Sequence, residues 1–373
     1  MTSLLITHPD LSFYGGAELV ITELCRYLGN HGIPHDVLTR AVSDEVKMLT
    51  PKTNYITISP SWQGRWQTGT AYAFWRYLKE HPDWDVVNAH NYPTHLAAAG
   101  CSIPTVWMCN EPPSFHIHYN GVKRPVDLFK IALLTADRWM VRNRVDDIIV
   151  ADEFNQQRFS KLYSRPSHII PYGIDYAYFS SGEGKRAVES YHLEDRFVLL
   201  HVGVFSPLKN QMASVRCLKK IIRTDPSGIL ILAGQGGNWY EEEVRAYIRA
   251  HHLEKHVLIT GHISRNTIRD LYHAAHLALF PVQSQGSWLS PFEALCAGTP
   301  VIVSPDITSS SLISMHEIGT VTRDYVQAVQ TIMQNYNDYA TQAERGRRWV
   351  RDNLKWEKFC RELFERCEAV VRT

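Results

Sequence analysis

The chain lacks paired cysteines. Its seven cysteines (Cys25, Cys101, Cys109, Cys217, Cys296, Cys360 and Cys367) show no ligand-type spacing, and several sit in apolar runs. That argues against a disulfide framework or a structural zinc and suits a reducing, cytoplasmic setting. A charge of one sign is also missing: 39 Lys and Arg stand against 38 Asp and Glu, for a net +1. Such balance gives no case for a nucleic-acid partner. No apolar run is long enough for a transmembrane helix. The first, Leu4–Thr7 (LLIT), has no basic flank and reads as a buried strand rather than a secretion signal. The loop after it, Gly15-Gly16-Ala17-Glu18, lacks the G-x-G-x-x-G spacing of a dinucleotide fingerprint, which speaks against a nicotinamide cofactor.

What is present is alternation. Short apolar runs alternate with helical patterns from end to end, and 373 residues exceed one ordinary core. Asp36–Thr39, Val86–His90, Pro104–Met108 and Asp147–Ala151 continue the first set of strands. The pattern restarts after the turn-rich Pro171–Asp175 and a polar, glycine-containing stretch, Ser180–Arg186, that reads as a linker. Phe197–Gly203, Gly228–Gly234, His256–Gly261, Leu277–Pro281 and Pro300–Ser304 form the second set. Strands alternating with helices predict an α/β chain of two doubly wound parallel sheets. One amphipathic helix is expected from about Asp338 to the C-terminus.

Ligands of open α/β sheets bind at the carboxyl ends of the strands, so the loops that follow strands carry the chemistry. In the second half, Lys209 stands beyond Gly203, ahead of an apolar helix. It is either a phosphate-neutralising cation or a solvated surface lysine. Gly234-Gln235-Gly236 permits close backbone approach or a plain tight turn. Beyond Gly261, His262 and Ile263 offer backbone groups to a base. The stretch Gln285–Pro300 (QGSWLSPFEALCAGTP) places a small-residue loop before a helix carrying Glu293. Open backbone N–H groups and the helix dipole there suit a diphosphate, and Glu293 can accept from ribose hydroxyls.

In the first half, Gly15 and Gly16 allow a phosphate or sugar to approach, while Glu18 equally serves the helix start. His90, His95, Asn110, Glu111, His116 and His118 follow strands; the histidines and the acid suit sugar hydroxyls or proton transfer, and Asn110 a sugar hydroxyl alone. His116-Ile117-His118 has metal-like spacing without a third ligand. Asp83-Trp84-Asp85 matches D-x-D but precedes a strand, as a turn does. The basic segment 123–145 suits an anionic membrane surface or ordinary packing on the sheet. The aromatics Trp62, Trp66, Tyr72, Phe74 and Trp75 suit sugar, lipid or local packing.

Together the loops resemble the retaining family 4 glycosyltransferases of the GT-B fold over nearly the whole chain. The matching pieces are Gly15–Glu18, Tyr172-Gly173-Ile174-Asp175, Gly203 with Lys209, Gly234-Gln235-Gly236, Gly261, Glu293-Ala294-Leu295, Gly298–Ile302 and Lys355-Trp356-Glu357. The resemblance implies two Rossmann-like domains facing a central cleft. Residues 1–175 would bind acceptor, 176–345 would bind the nucleotide sugar, and a helix in 346–373 would pack back on the first domain. It implies metal-independent, retaining transfer from a UDP- or GDP-sugar to a glycan, polysaccharide or lipid-linked acceptor, with no cofactor. Lys209 would bind the diphosphate, the backbone of Gly286, Ser287, Trp288 and Leu289 the sugar and phosphate, and Glu293 the ribose. Three positions depart from the family pattern. Val204 stands where an arginine is usual, Asn110-Glu111 where a His-acid pair is usual, and Gln285 where a first glutamate is usual. A neutral amide at Gln285 keeps an acceptor but cannot stabilise a developing positive charge. These departures keep a second reading open, a non-catalytic GT-B protein that binds nucleotide sugar or partners another transferase.

Overall fold

The computed structural model describes residues 2–13, 15–59, 66–110, 125–283 and 288–372, with the backbone alone at 66 and 125–130. The fold resolves into two compact units: Met1–Gly173 with Trp356–Thr373, and Ile174–Lys355.

The first unit holds strands β1 (Leu4–Thr7), β2 (His35–Thr39), β3 (Asn54–Thr57), β4 (Val86–His90), β5 (Thr105–Met108), β6 (Asp147–Val150) and β7 (His168–Ile169). Its helices are α1 (Gly16–Asn30), α2 (Asp44–Leu49), α3 (Trp66–Glu80), α4 (Thr94–Ala99), α5 (Pro125–Arg144) and α6 (Glu153–Tyr163). The sheet runs in the order β3-β2-β1-β4-β5-β6-β7 and every pairing is parallel. Parallel sheets need both faces covered, which is why β1, β4, β5 and β6 read as unbroken buried runs. Leu5, Val87, Trp107, Ile148 and Phe159 form the heart of this core.

The second unit holds α7 (Tyr176–Phe179), α8 (Gly184–Tyr191), β8 (Phe197–Val202), α9 (Gln211–Ile221), β9 (Gly228–Ala233), α10 (Trp239–Ala250), β10 (Val257–Gly261) and α11 (Arg265–Ala274). It continues with β11 (Leu277–Phe280), α12 (Leu289–Cys296), β12 (Val301–Val303), α13 (Ser310–Met315), β13 (Thr320–Val321), α14 (Tyr325–Gln334) and α15 (Tyr336–Asn353). Its sheet is parallel throughout, in the order β10-β9-β8-β11-β12-β13. Strand order reverses between β1 and β4 in one sheet and between β8 and β11 in the other. Such switch points open a crevice at the strands' carboxyl ends.

Three edge strands, β3, β7 and β13, escape the sequence pattern because they are short and half exposed. The single C-terminal helix expected from about Asp338 is two helices, α15 and α16 (Trp356–Val371), broken at Leu354-Lys355. Leu354 is buried, and its carbonyl accepts from the Ile174 N–H at 2.9 Å. Helix α16 belongs to the first unit and packs on α1, β4 and β5 through Phe359, Cys360, Leu363 and Cys367. Arg366 adds an ion pair to Asp147 at 2.6 Å. The stretch Ser180–Arg186 is not a free linker. Gly182 and Glu183 donate backbone N–H groups to His273 and Asp270 of α11 within the second unit.

Candidate active site at the strand carboxyl ends

In the second unit the strand ends are knitted into one rim. The Gly203 N–H donates to Ala233 O at 2.9 Å, Phe205 N–H to Gln235 O at 2.8 Å, and Gly234 N–H to Gly261 O at 3.1 Å. A Cβ at Gly234 would strike the Gly203 carbonyl, so that glycine permits close packing of backbone, whereas one at Gly236 would meet only the Glu241 side chain. Across the switch point, Gln283 N–H donates to Leu208 O at 2.7 Å and Asn210 Nδ2 to Pro281 O at 3.0 Å. The loops after β8 and β11 are therefore held side by side.

Lys209 lies in the first of these loops, with its stem passing 3.6 Å from the Cβ position of Gly203. Gly261 has φ +70 and open space where a side chain would stand, His262 is exposed, and Ile263 is half-buried. Gln285, Gly286 and Ser287 lie outside the described residues. Leu289 opens α12. The Trp288 ring is buried and packs 4.8 Å from Phe292, so its side chain serves the core.

Glu293, one turn into α12, accepts from the buried Tyr272 hydroxyl at 3.2 Å. Burial pushes its pKa up to about 7; Arg265 and the Tyr272 bond pull it down, and Asp175 pushes it up. The acid is thus poised between its two forms near neutrality. Arg265, which sequence reasoning missed, pairs with Asp175 at 3.4 Å and lies 4.3 Å from the Tyr178 ring centroid. No sequence motif marks that group, because it is assembled from α7, α11 and α12.

The first unit's strand ends are arranged differently. Tyr172 donates its hydroxyl to Asn110 Oδ1 at 2.5 Å, and Asn110 Nδ2 donates to Asn91 Oδ1 at 2.6 Å. Asn91 Nδ2 meets His8 Nε2 at 2.9 Å. Asn110 is therefore engaged at both ends of its amide. His8 is buried and held neutral, its pKa pushed down to about 4 by burial against an upward pull from Asp10.

Two residues expected to bind acceptor turn into the protein. His90 is fully buried with Nε2 on Asn88 Oδ1 at 2.6 Å, and its pKa is pushed down to about 3 by burial and then by His8. His95 is also fully buried, 2.8 Å from Asp137 Oδ1 and stacked 4.0 Å from Trp107. Tyr163 donates to the other oxygen of Asp137 at 2.7 Å, so this cluster ties α4, α5 and α6 together. Proximity in sequence to a strand end does not tell which way a side chain turns. Glu111, His116 and His118 lie outside the described residues.

Gly15 and Gly16 begin α1, and the Glu18 carboxylate bonds back to the Gly15 N–H at 3.2 Å. Glu18 thus serves the helix start. Asp85 accepts from the Ser3 N–H and hydroxyl at 2.7 and 2.8 Å, which makes it a turn residue. Phe74 is core and the Trp75 indole donates to Gly100 O, while Tyr72 is exposed. Trp62 and the Trp66 side chain lie outside the described residues.

Two parallel doubly wound units, one of them with a lysine loop and a helix-borne acid at its switch point, suit a nucleotide ligand at the strand carboxyl ends. Residues 14–178 match the profile described as Glycosyltransferase Family 4, and residues 185–349 match Glycosyl transferases group 1. The D-inositol 3-phosphate glycosyltransferase 2 of Catenulispora acidiphila is 25% identical over 370 residues, covering 87% of this chain and 83% of its own. The solved structure of Anabaena HepE in complex with UDP-glucose superposes with a TM-score of 0.79 at 17% identity, covering 99% of this chain and all of HepE. WaaG, a glycosyltransferase involved in lipopolysaccharide biosynthesis, gives 0.79 at 16% identity over 98% of this chain and 99% of its own. The chain belongs to the family 4 glycosyltransferases: it is a retaining enzyme of the GT-B fold that uses a nucleotide-sugar donor.

Proposed function

We propose that the second unit holds a UDP- or GDP-sugar and that the sugar passes, without a metal, to a glycan, polysaccharide or lipid-linked acceptor held by the first unit. The observation that carries this reading is the β8–β11 switch point, where the loop bearing Lys209 is hydrogen-bonded to the start of the loop leading to Glu293. Lys209 neutralises the leaving diphosphate, and the ionised Glu293 accepts from the ribose hydroxyls. Transfer with retention then depends on positioning and leaving-group stabilisation. HepE was crystallised with UDP and with UDP-glucose, and a relative from Mycolicibacterium smegmatis is a GDP-mannose-dependent mannosyltransferase, so both bases are in range. Nucleotide release from a panel of UDP- and GDP-sugars, with and without acceptor, tests the reading. Release from none of them would refute it.

A membrane-proximal acceptor agrees with α5. Its exposed Trp139 lies among Arg138, Arg142 and Arg144. Arg142 is engaged with Tyr163 O at 2.7 Å, but Arg138 and Arg144 make no ion pair among the described residues. Such a pairing of aromatic and cation suits anionic headgroups. Co-sedimentation with vesicles containing phosphatidylglycerol, lost in Trp139→Ala with Arg138→Ala, is the expected outcome.

A further inference from the structure

The loop after β8 contains one cation, yet the structure beneath it holds two buried polar atoms without partners. His201 and Gln211 are each 1% exposed. Alternation along β8 puts His201 on the face of Leu199, under α9 and one step nearer the carboxyl end. Its Nδ1 lies 2.9 Å from Ser214 Oγ, a residue of the first turn of α9, and its enclosed Nε2 has no hydrogen-bond partner. Gln211 opens α9 and donates through Nε2 to the carbonyls of Gly203 at 3.2 Å and Val204 at 3.0 Å. Its Oε1 is enclosed and unpartnered too. Asn210, just ahead of the eleven-residue α9, has φ 60 and offers no side-chain cap. Buried polar groups without partners are uncommon, and two at one strand end point to something that completes them.

We infer that the head of α9 grips the distal phosphate of the donor, with His201 donating through Nε2 beside Lys209 and Gln211 holding two carbonyls away from the anion. This rests on the donor reading above. A Ser214 hydroxyl that donates to Nδ1 leaves the ring proton on Nε2. Burial, and then Lys209, push the His201 pKa down to about 3, so the donor is a neutral imidazole at any working pH. By holding the Gly203 and Val204 carbonyls, Gln211 leaves donors rather than acceptors facing the phosphate, and its own Oε1 suits a bound water. The Val204 side chain, 53% exposed, contributes no donor, and His201 supplies one from below.

Calorimetric titration of the whole chain with UDP and UMP, and with GDP and GMP, separates the distal phosphate from the rest of the nucleotide. His201→Phe keeps an aromatic ring and removes the donor; it is expected to weaken diphosphate binding about tenfold while leaving the monophosphate unchanged. Gln211→Leu is expected to act in the same direction. An unchanged diphosphate-to-monophosphate ratio, or an equal loss of both, would overturn the inference. If His201→Phe does not fold, wild-type protein labelled with 15N-histidine decides the matter. The His201 Nε2 resonance must shift on saturation with the diphosphate and not with the monophosphate, and a silent resonance overturns the inference. Wild type that binds none of the four nucleotides removes the donor reading and this inference with it, an outcome distinct from loss of the ratio alone.

Discussion

The two sets of strand ends are built from the same fold and carry different groups. In the first unit, Tyr172, Asn110, Asn91 and His8 form a closed chain in which each polar group finds its partner inside the protein. Two of its histidines are held neutral: burial pushes His8 down to about 4 and His90 down to about 3. In the second unit, a lysine and a poised acid stand at one switch point; unpartnered buried atoms occur in both units, at His201 and Gln211 here and at Thr7 and His90 in the first. Buried polar atoms without partners cost stability, and they persist where a ligand or water completes them. Under the proposed function, the second unit would receive the anionic donor and the first the hydroxyl-bearing acceptor.

The largest test of that contrast is a pair of substitutions. Lys209→Ala is expected to lower kcat/KM for the nucleotide sugar about a hundredfold, the usual cost of losing a charged contact to the leaving group. Asn110→Ala in the first unit should stay within about fivefold, because its amide is held by other side chains rather than offered to substrate. Initial-rate kinetics on both variants decide it, and the reverse order would break the comparison.

Glu293 gives the next effect, and its sign follows from its pKa. Burial raises it to about 7, so the carboxylate form grows as pH rises through neutrality. Ribose hydroxyls need that acceptor, and donor KM should therefore fall between about pH 6 and pH 8. Glu293→Gln should raise donor KM about tenfold and flatten the pH dependence. The stability linkage runs the other way. A carboxyl with a raised native pKa holds its proton better than the unfolded chain does. Its stabilising contribution is present below the ordinary glutamate range and lost as pH rises through about 7. Denaturation midpoints of the unliganded protein at pH 5 and pH 8 should show this, and Glu293→Gln should remove it.

How much of this was legible beforehand depends on where the information sits. Ten strands announce themselves as short apolar runs, the half-buried edge strand β10 among them, and Lys209 and Glu293 stand at fixed places after two of them. The edge strands β3, β7 and β13 do not, because an edge needs neither length nor full burial. His90 and His95 looked like ligands because they end a strand and begin a helix, yet both turn inward to Asn88 and Asp137. Tyr172, Arg265 and His201 matter through partners 62, 90 and 13 positions away. Periodicity carries no information on such pairings. The break at Leu354-Lys355 was invisible for a similar reason: neither residue is a helix breaker, and the turn is held by the Ile174 N–H.

Two smaller effects sharpen the contrast. Val204 is 53% exposed at the rim beside Gly203, so an arginine can stand there without displacing core atoms. If the second unit is short of one cation, Val204→Arg should raise kcat/KM about threefold to tenfold, and a loss of activity would mean the rim is already complete. The smallest effect belongs to the first unit. Tyr172→Phe removes one hydroxyl from the closed chain and keeps the ring, which packs 5.5 Å from Phe359 of α16. The expected cost is about 1 kcal/mol of stability, because Asn110 Oδ1 loses a buried donor. Donor KM should not move, since no donor group of the second unit depends on that hydroxyl. A Tyr172→Phe variant with normal stability and a weakened donor KM would show that the two sets of strand ends are coupled rather than separately prepared.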